Sequence, residues 1–399
     1  MRLPVLLVHE AEVYAPEPLG RVSVLAVGNR IAAIDRGIAV PAWGESTVIH
    51  ALGAIMVPGL VDQHVHIAGG GGEGGPQNRT PDIQLSQLTT AGITTVVGLL
   101  GTDGTTRSVP ELLAKARALE VEGISAWIYT GAYELPLRTV TQSARSDIIL
   151  LDRVLGIGEI ALSDQRGSHP SLQQIAELAS EARVGGLLAH KAGVVHLHLG
   201  SGERCLTPLM EVLDQHDIPI QTFVPTHLNR TRALLKSAAV YGRRGGWLDI
   251  TSGIGGGEEN DREAVDPAEA LISLAQQGVP WDRLSISSDA QGSAPVFDSQ
   301  GHLIGLGIGK ADTLWTVVSN LVSRFSLPWE QALRPITSTP ATILKLPAAG
   351  RIQVGGPADF LLIRDHRIDT VVAKGRIMVE AGRPLVWGTF EARAETDGQ

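Results

Sequence analysis

Between Gly59 and Leu346 the chain alternates short apolar, β-branched runs with longer segments of helical period, and few folds accept that alternation. Eight such runs occur: PGLVDQHVH (58–66), ITTVVGLLG (93–101), SAWIYTGAY (125–133), VLGIGEIAL (154–162), VVHLHLG (194–200), PIQTFVPTH (219–227), WLDITSG (247–253) and LSISSDA (284–290). Between them lie helix candidates such as PELLAKARALEVEG, SLQQIAELASEARVGG, TPLMEVLDQHD, TRALLKSAAVYG and DPAEALISLAQQG. Several begin on Ser, Thr or Asp and close on Gly, which is the capping chemistry of helices. Strand followed by helix, repeated in this order, predicts an α/β fold of the (β/α)8 TIM-barrel type. An open doubly wound sheet is the rival, but the GxGxxG turn that would favour it after the first strand is absent.

The two ends read differently. Residues 1–57 carry RVSVLAVGNRIAAID and STVIHALGAIMV, and residues 347–399 carry GRIQVGGPADFLLI and IDTVVAKGRIMVEAGRPLV. These are short alternating strands with Gly and Pro turns and no helix, so both ends are expected to pair into one small composite β-sandwich domain. The barrel, 58–346, interrupts it, and 391–399 reads as a frayed tail.

Composition narrows the partners. With 42 acidic against 33 basic residues, a net charge of −9 and no basic run, neither nucleic acid nor an anionic membrane is expected as the main partner. A 43% hydrophobic content with 19% charged residues gives enough core to order the chain. Cys205 stands alone and cannot form an internal disulfide, the start MRLPVLLVHEAEVY reaches Glu10 too soon for a signal peptide, and no apolar stretch is long enough to span a bilayer. Together these predict a cytoplasmic setting. The 46 glycines, without a repeat, imply tight turns and loops that approach a ligand closely.

The chemistry is concentrated at strand ends. His64 and His66 sit two apart at the end of the first run, so strand alternation sends both imidazoles to one side. In a barrel that side is the interior, at the C-terminal mouth where active sites are built. Glu159 lies near the end of the fourth run, His198 near the end of the fifth, His227 closes the sixth and Asp289 closes the eighth. Six N and O donors converging on one mouth suit Zn, Mn, Co or Fe rather than Ca or Mg. Four histidines, one bridging and one terminal carboxylate predict two divalent metal ions, zinc first among them. Two such ions outweigh the charge of Glu159, Asp289 and a bridging hydroxide, which leaves a small positive remainder suited to polarising a carbonyl. The bland reading of Glu159 is a carboxylate paired with Arg153 or Arg166. His196 reads as a core histidine in preference to a group behind the ligands, and His169, His190, His216, His302 and His366 read as solvated.

The HxH of the first strand, the histidines of the fifth and sixth and the aspartate of the eighth resemble the amidohydrolase superfamily. Within it the chain resembles the isoaspartyl (β-aspartyl) dipeptidases, through PGLVDQHVHIAGGGGEGGP, TTVVGLLGTDG, EGISAWIYTGAYELPLRT, DRVLGIGEIALSDQR, VPTHLNR, LDITSGI, ISSDAQGSAP and KGRIMVEAGRPLVWGTFE, which span nearly its whole length. The resemblance implies that His64, His66 and Asp289 hold one metal and His198 and His227 the second. It further implies that Asp289 shuttles the proton, Tyr133 hydrogen-bonds the scissile carbonyl, and Glu73 holds the substrate's free α-amino group. Arg166 and Arg230 would grip carboxylate, helped by Thr102 and Ser293. A homo-oligomer, in the form of an octamer, is implied as well. One departure stands out: family members carry a carboxylated lysine as metal bridge where this chain has Glu159, a shorter monoanion. The loop 254–266, IGGGEENDREAVD, also reads as longer and more acidic than the family pattern.

The expected activity is therefore hydrolysis of the β-aspartyl amide bond of dipeptides by attack of a metal-bound hydroxide. Two alternatives stay open: an amidohydrolase acting on cyclic imides, hydantoins or N-acyl amino acids, and a catalytically impaired scaffold or binding protein.

Overall fold

The computed structural model describes residues 3–40, 46–255, 263–297 and 303–392. Most of the acidic loop 254–266, His302 and all but the first two residues of the 391–399 tail lie outside them.

The eight apolar runs form the strands Leu60–Val65, Ile93–Gly98, Ser125–Thr130, Val154–Leu162, Val194–Leu199, Phe223–Thr226, Leu248–Thr251 and Leu284–Ser287. The first six make one parallel sheet in chain order, and the last two pair in parallel with each other. Backbone bonds close the ring. Leu228 N donates to Asp249 O at 3.4 Å on one side; Asp289 N donates to His64 O at 3.1 Å, and His66 N to Ala290 O at 2.9 Å, on the other. This closure excludes the open sheet and makes the fold a TIM-type barrel. Residues of the first, second, fourth and fifth strands are buried on both faces, as a parallel sheet covered by helices requires.

Four of the helices begin on the caps that the sequence offers, whereas Thr207–Gln215 starts at Leu206 with no side-chain cap. Ser108 and Ser171 form capping boxes with Glu111 and Gln174 at the starts of Val109–Glu122 and Leu172–Ala189. Thr231 accepts from Leu234 N, and Asp266 accepts from Ala268 N and Glu269 N. Inside the barrel, below the mouth, the fully buried Asp249 accepts from Gln63 at 2.7 Å, Ser285 at 2.6 Å, Thr226 at 2.7 Å and Ser287 at 2.5 Å. A buried carboxylate without a cation needs that many donors, and these tie the seventh strand to the first, sixth and eighth.

Strands from both chain ends share a nine-stranded sheet. Its seam is Ile55–Pro58, parallel to Val5–Tyr14 and antiparallel to Phe360–Arg364. Alternation divides the sheet's faces between two cores: Leu6, Val8, Val24, Met56, Phe360 and Leu362 pack together, while Leu361, Ile363, Val371 and Met378 join the barrel's core. The result is a sheet-rich end domain beside the barrel. No helix among the described residues is long and apolar enough to cross a membrane.

Asp359 marks the junction. Its carbonyl accepts from Gly59 N at 3.0 Å, and its buried carboxylate accepts from Lys374 N at 2.6 Å. Burial pushes this carboxyl up from 3.8 to about 6, against the opposing pull of the Lys374 amide and ammonium. A folded-state value above the unfolded one stabilises the fold below about pH 4, and that contribution is lost as pH rises through about 6. Asp359→Asn is therefore expected to match the parent near pH 4 and to exceed it above pH 7, by about 3 kcal/mol at most. Melting curves from pH 4 to 8 check this; parallel profiles for the two proteins would contradict it.

Candidate metal centre and active site

The bonds that close the barrel fall on His64, His66 and Asp289 themselves, so the backbone of three donors is locked by the fold's own closure. Around them the imidazoles and carboxylates crowd together. His66 Nε2 is 3.1 Å and His64 Nε2 3.3 Å from Asp289 Oδ1. Glu159 stands between the two histidine pairs: Oε2 is 3.1 Å from His198 Nδ1 and 3.6 Å from both His227 Nε2 and His64 Nε2, and Oε1 is 3.6 Å from His66 Nε2. The loop after the second strand leaves room for this at Gly101, where a Cβ would lie 2.8 Å from the His66 ring and 3.4 Å from Glu159 Oε1. Glu159 takes neither arginine considered for it. Arg153 pairs with Glu120 at 2.9 Å and stacks on Trp127, and Arg166 pairs with Asp164 and Glu73.

Among the described residues, three trios of donors could each hold a metal ion: His64, His66 and Glu159; His64, His227 and Asp289; and Glu159, His198 and His227. Their ligand atoms lie within 4.8 Å of one another. Among the described residues, His64 Nε2, Glu159 Oε1 and Asp289 Oδ1 are buried without a hydrogen-bond partner, a cost that a divalent cation relieves. The N and O donor set therefore fits such an ion.

Electrostatics point the same way. Burial pushes the Glu159 carboxyl well above its usual range, and the Asp289 charge adds to it. Asp289 is also penalised by burial, but the imidazoles of His64, His66 and His227 outweigh that and hold it well below. Burial, reinforced by Arg230 and Arg166 and only partly countered by Asp164, holds His198 down at about 3. Burial likewise keeps His227 neutral, so these rings offer lone pairs rather than charge. Tyr133 is pushed well up by burial and by Glu159, so it stays a donor; its hydroxyl is 2.7 Å from His198 Nδ1.

A cavity of about 530 Å³ opens above the cluster, lined by His66, Glu73, Tyr133, Arg166, Arg230 and Asp289 among others. Thr102 and Ser293 both donate to the Glu73 carboxylate, at 2.8 Å and 3.1 Å, and Arg166 reaches it at 3.3 Å. The two hydroxyls thus brace the acid. The Arg230 side chain makes no ion pair among the described residues, and its buried Nε has no partner.

Two residues, Arg107 and Asp164, escaped the sequence reading of the site, and a third, His196, was read differently. Arg107, buried, donates to the carbonyls of Gly70 at 3.1 Å, Thr80 at 2.9 Å and Ala68, and so braces the glycine loop that carries Glu73. Asp164 accepts from Arg166 and His198, and its position two residues before Arg166 was the available signal. Burial would raise its carboxyl, but those bonds outweigh burial and hold it well below the usual range. His196 corrects the plain core reading: its Nε2 meets His64 Nδ1 at 2.8 Å while its ring stacks on Tyr129. His169, His190 and His366 are exposed and His216 is half-buried.

The amidohydrolase family profile matches residues 55–378. A β-aspartyl dipeptidase from the thermophilic, keratin-degrading Fervidobacterium islandicum AW-1, solved in complex with β-Asp-Leu dipeptide, is 38% identical over 95% of this chain and 98% of its own, with a TM-score of 0.86. A second structure of that enzyme gives 36% identity, the same coverage and a TM-score of 0.85. A D-hydantoinase (dihydropyrimidinase) from Thermus sp. shares the fold alone, at 15% identity over 96% of this chain and 97% of that one, with a TM-score of 0.66.

Proposed function

Because the chain belongs to the amidohydrolase family, we propose that it is a metal-dependent dipeptidase that cleaves β-aspartyl amide bonds. The observation that carries this reading is the braced Glu73, 3.3 Å from Arg166 and on the same cavity as Arg230 and the donor cluster. An isoaspartyl residue differs from an ordinary peptide in presenting a free α-ammonium and a free α-carboxylate next to the scissile amide. Glu73 complements the first, and Arg166 and Arg230 complement the second with guanidinium forks that suit a carboxylate.

His64, His66, Asp289 and Glu159 would hold one divalent ion, and His198, His227 and Glu159 a second, with zinc the metal best matched to the ligands. Bound there, the ions supply Lewis acidity toward a carbonyl and lower the pKa of water. Asp289, kept ionised by the surrounding imidazoles, accepts the proton of the attacking water on its carboxylate and returns it to the leaving amine. Tyr133, protonated at working pH, donates from its hydroxyl to the carbonyl oxygen as charge develops there. The single Cys205 fits a cytoplasmic location, and assembly into a homo-oligomer belongs to the same reading.

The test is metal quantification on the same sample that is assayed with matched β-Asp-Leu and α-Asp-Leu. Cleavage of the β-linked dipeptide alone supports the proposal; rates no faster than buffer on both sink it. Glu73→Gln is expected to reduce kcat/KM on β-Asp-Leu by about 30- to 100-fold, the size of one charge-assisted interaction. A hydantoin or N-acyl amino acid has no free amine, so an enzyme built for those substrates would show little change.

A further inference from the structure

A histidine that binds a metal needs its other ring nitrogen held, because the partner there decides which nitrogen keeps the proton. The four imidazoles of the cluster are held unequally. His64 Nδ1 meets another imidazole, His196, at 2.8 Å, and His227 Nδ1 meets the Thr251 hydroxyl at 2.7 Å. His66 Nδ1 has no hydrogen-bond partner among the described residues. Among the described residues, only the outer nitrogen of His198 meets a carboxylate outside the cluster: its Nε2 lies 3.0 Å from Asp164 Oδ2, with Arg166 Nη2 alongside at 3.2 Å.

That carboxylate has a second task. Arg166 Nη2 donates to Oδ2 at 2.7 Å, and Arg166 Nε and backbone N donate to Oδ1 at 3.0 Å and 2.8 Å. Asp164 is itself 8% exposed, and backbone packing sets its place. A Cβ on Gly200 would lie 2.5 Å from Asp164 Cβ, and one on Gly202 would lie 2.5 Å from Ser163 O. The loop after the fifth strand can press against Asp164 only because those two positions are glycine.

We propose that Asp164 is a positioning residue that joins the His198 side of the metal centre to the substrate-carboxylate site: it keeps the His198 proton on Nε2 and holds the Arg166 fork over the cavity. This rests on the reading above, in which His198 is a ligand and Arg166 binds substrate. With the proton on Nε2, Nδ1 keeps its lone pair on the cluster side, where the Tyr133 hydroxyl lies at 2.7 Å and Glu159 Oε2 at 3.1 Å. The carboxylate also makes His198 more basic than a neutral acceptor would, so the two metal positions are inequivalent.

Cobalt-loaded parent protein, Asp164→Asn and Arg166→Met, each dialysed against graded chelator, separate the two tasks. Asp164→Asn is expected to surrender cobalt at about 10- to 100-fold lower chelator concentration, with a changed visible spectrum and a raised KM. Arg166→Met is expected to raise KM while keeping the parent's cobalt retention and spectrum, because His198 keeps its partner. Parent-like retention and spectrum in Asp164→Asn would overturn the inference. If that variant does not fold, 15N NMR of the zinc-loaded parent decides: a proton on His198 Nε2 supports the assignment and a proton on Nδ1 overturns it. A parent protein that takes up no divalent ion under any loading overturns the dipeptidase reading itself, and this is seen before any variant is made.

Discussion

Asp289→Asn is expected to lower kcat on β-Asp-Leu about 1000-fold, with kcat/KM falling in parallel and most of the bound metal retained. Asparagine keeps an oxygen where Asp289 Oδ1 faces His64 and His66 at 3.3 Å and 3.1 Å, so a ligand atom survives. It also suits the backbone, because Asp289 lies at φ 57, in the left-handed region that asparagine adopts more readily than most residues. What is lost, on the proposed mechanism, is the capacity to accept a proton from water and deliver it to the amine. An isosteric change that leaves geometry in place and removes one proton acceptor isolates that step. Steady-state kinetics with metal analysis check it; a variant within tenfold of the parent would show that another group carries the proton.

Glu159→Gln is expected to have an effect of similar size by a different route. The carboxylate presents Oε2 toward His64, His198 and His227 and Oε1 toward His66, so both oxygens are used. An amide keeps one acceptor and turns an NH2 donor toward lone pairs, in a site that is 1% exposed and cannot be rescued by water. Metal content is expected to fall to half or less and activity by about 1000-fold, the loss tracking the ion rather than a single proton transfer. Restored activity at high metal concentration would fit this account for Glu159 and distinguish it from Asp289→Asn, which extra metal should not rescue. Full metal content in an inactive Glu159→Gln protein would argue against a bridging carboxylate here.

Much of this site could be read from the chain because parallel barrel strands all end at one mouth. A donor at the end of the fourth run and another at the end of the eighth are 130 residues apart in sequence, yet the fold carries both to the same place. His64, His66, Glu159, His198, His227 and Asp289 needed only the strand pattern to be placed on that mouth. Asp164, Arg107 and His196 needed more. Asp164 meets His198 because the loop at Gly200 and Gly202 folds onto it, and Arg107 reaches the glycine loop from a segment beyond the next strand. Neither contact follows from spacing, since each depends on how two loops settle against one another. Thr102 and Ser293 illustrate the same limit: both were placed at the site, but that they brace Glu73 depends on where the glycine loop brings its carboxylate.

Periodicity is local, and what is local was decided by the sequence alone: eight strands with helices between them, capped where Ser, Thr and Asp stand, and imidazoles and carboxylates turned toward one interior. Partner choice is not local. Closure of the barrel at His64, His66 and Asp289, the sharing of one sheet by both chain ends through Ile55–Pro58, and the pairing of Asp164 with both His198 and Arg166 arose only in the tertiary structure. The physical reason is that a buried polar atom must find its partner among whatever groups the packed elements bring within about 3 Å, and only the folded chain determines which those are.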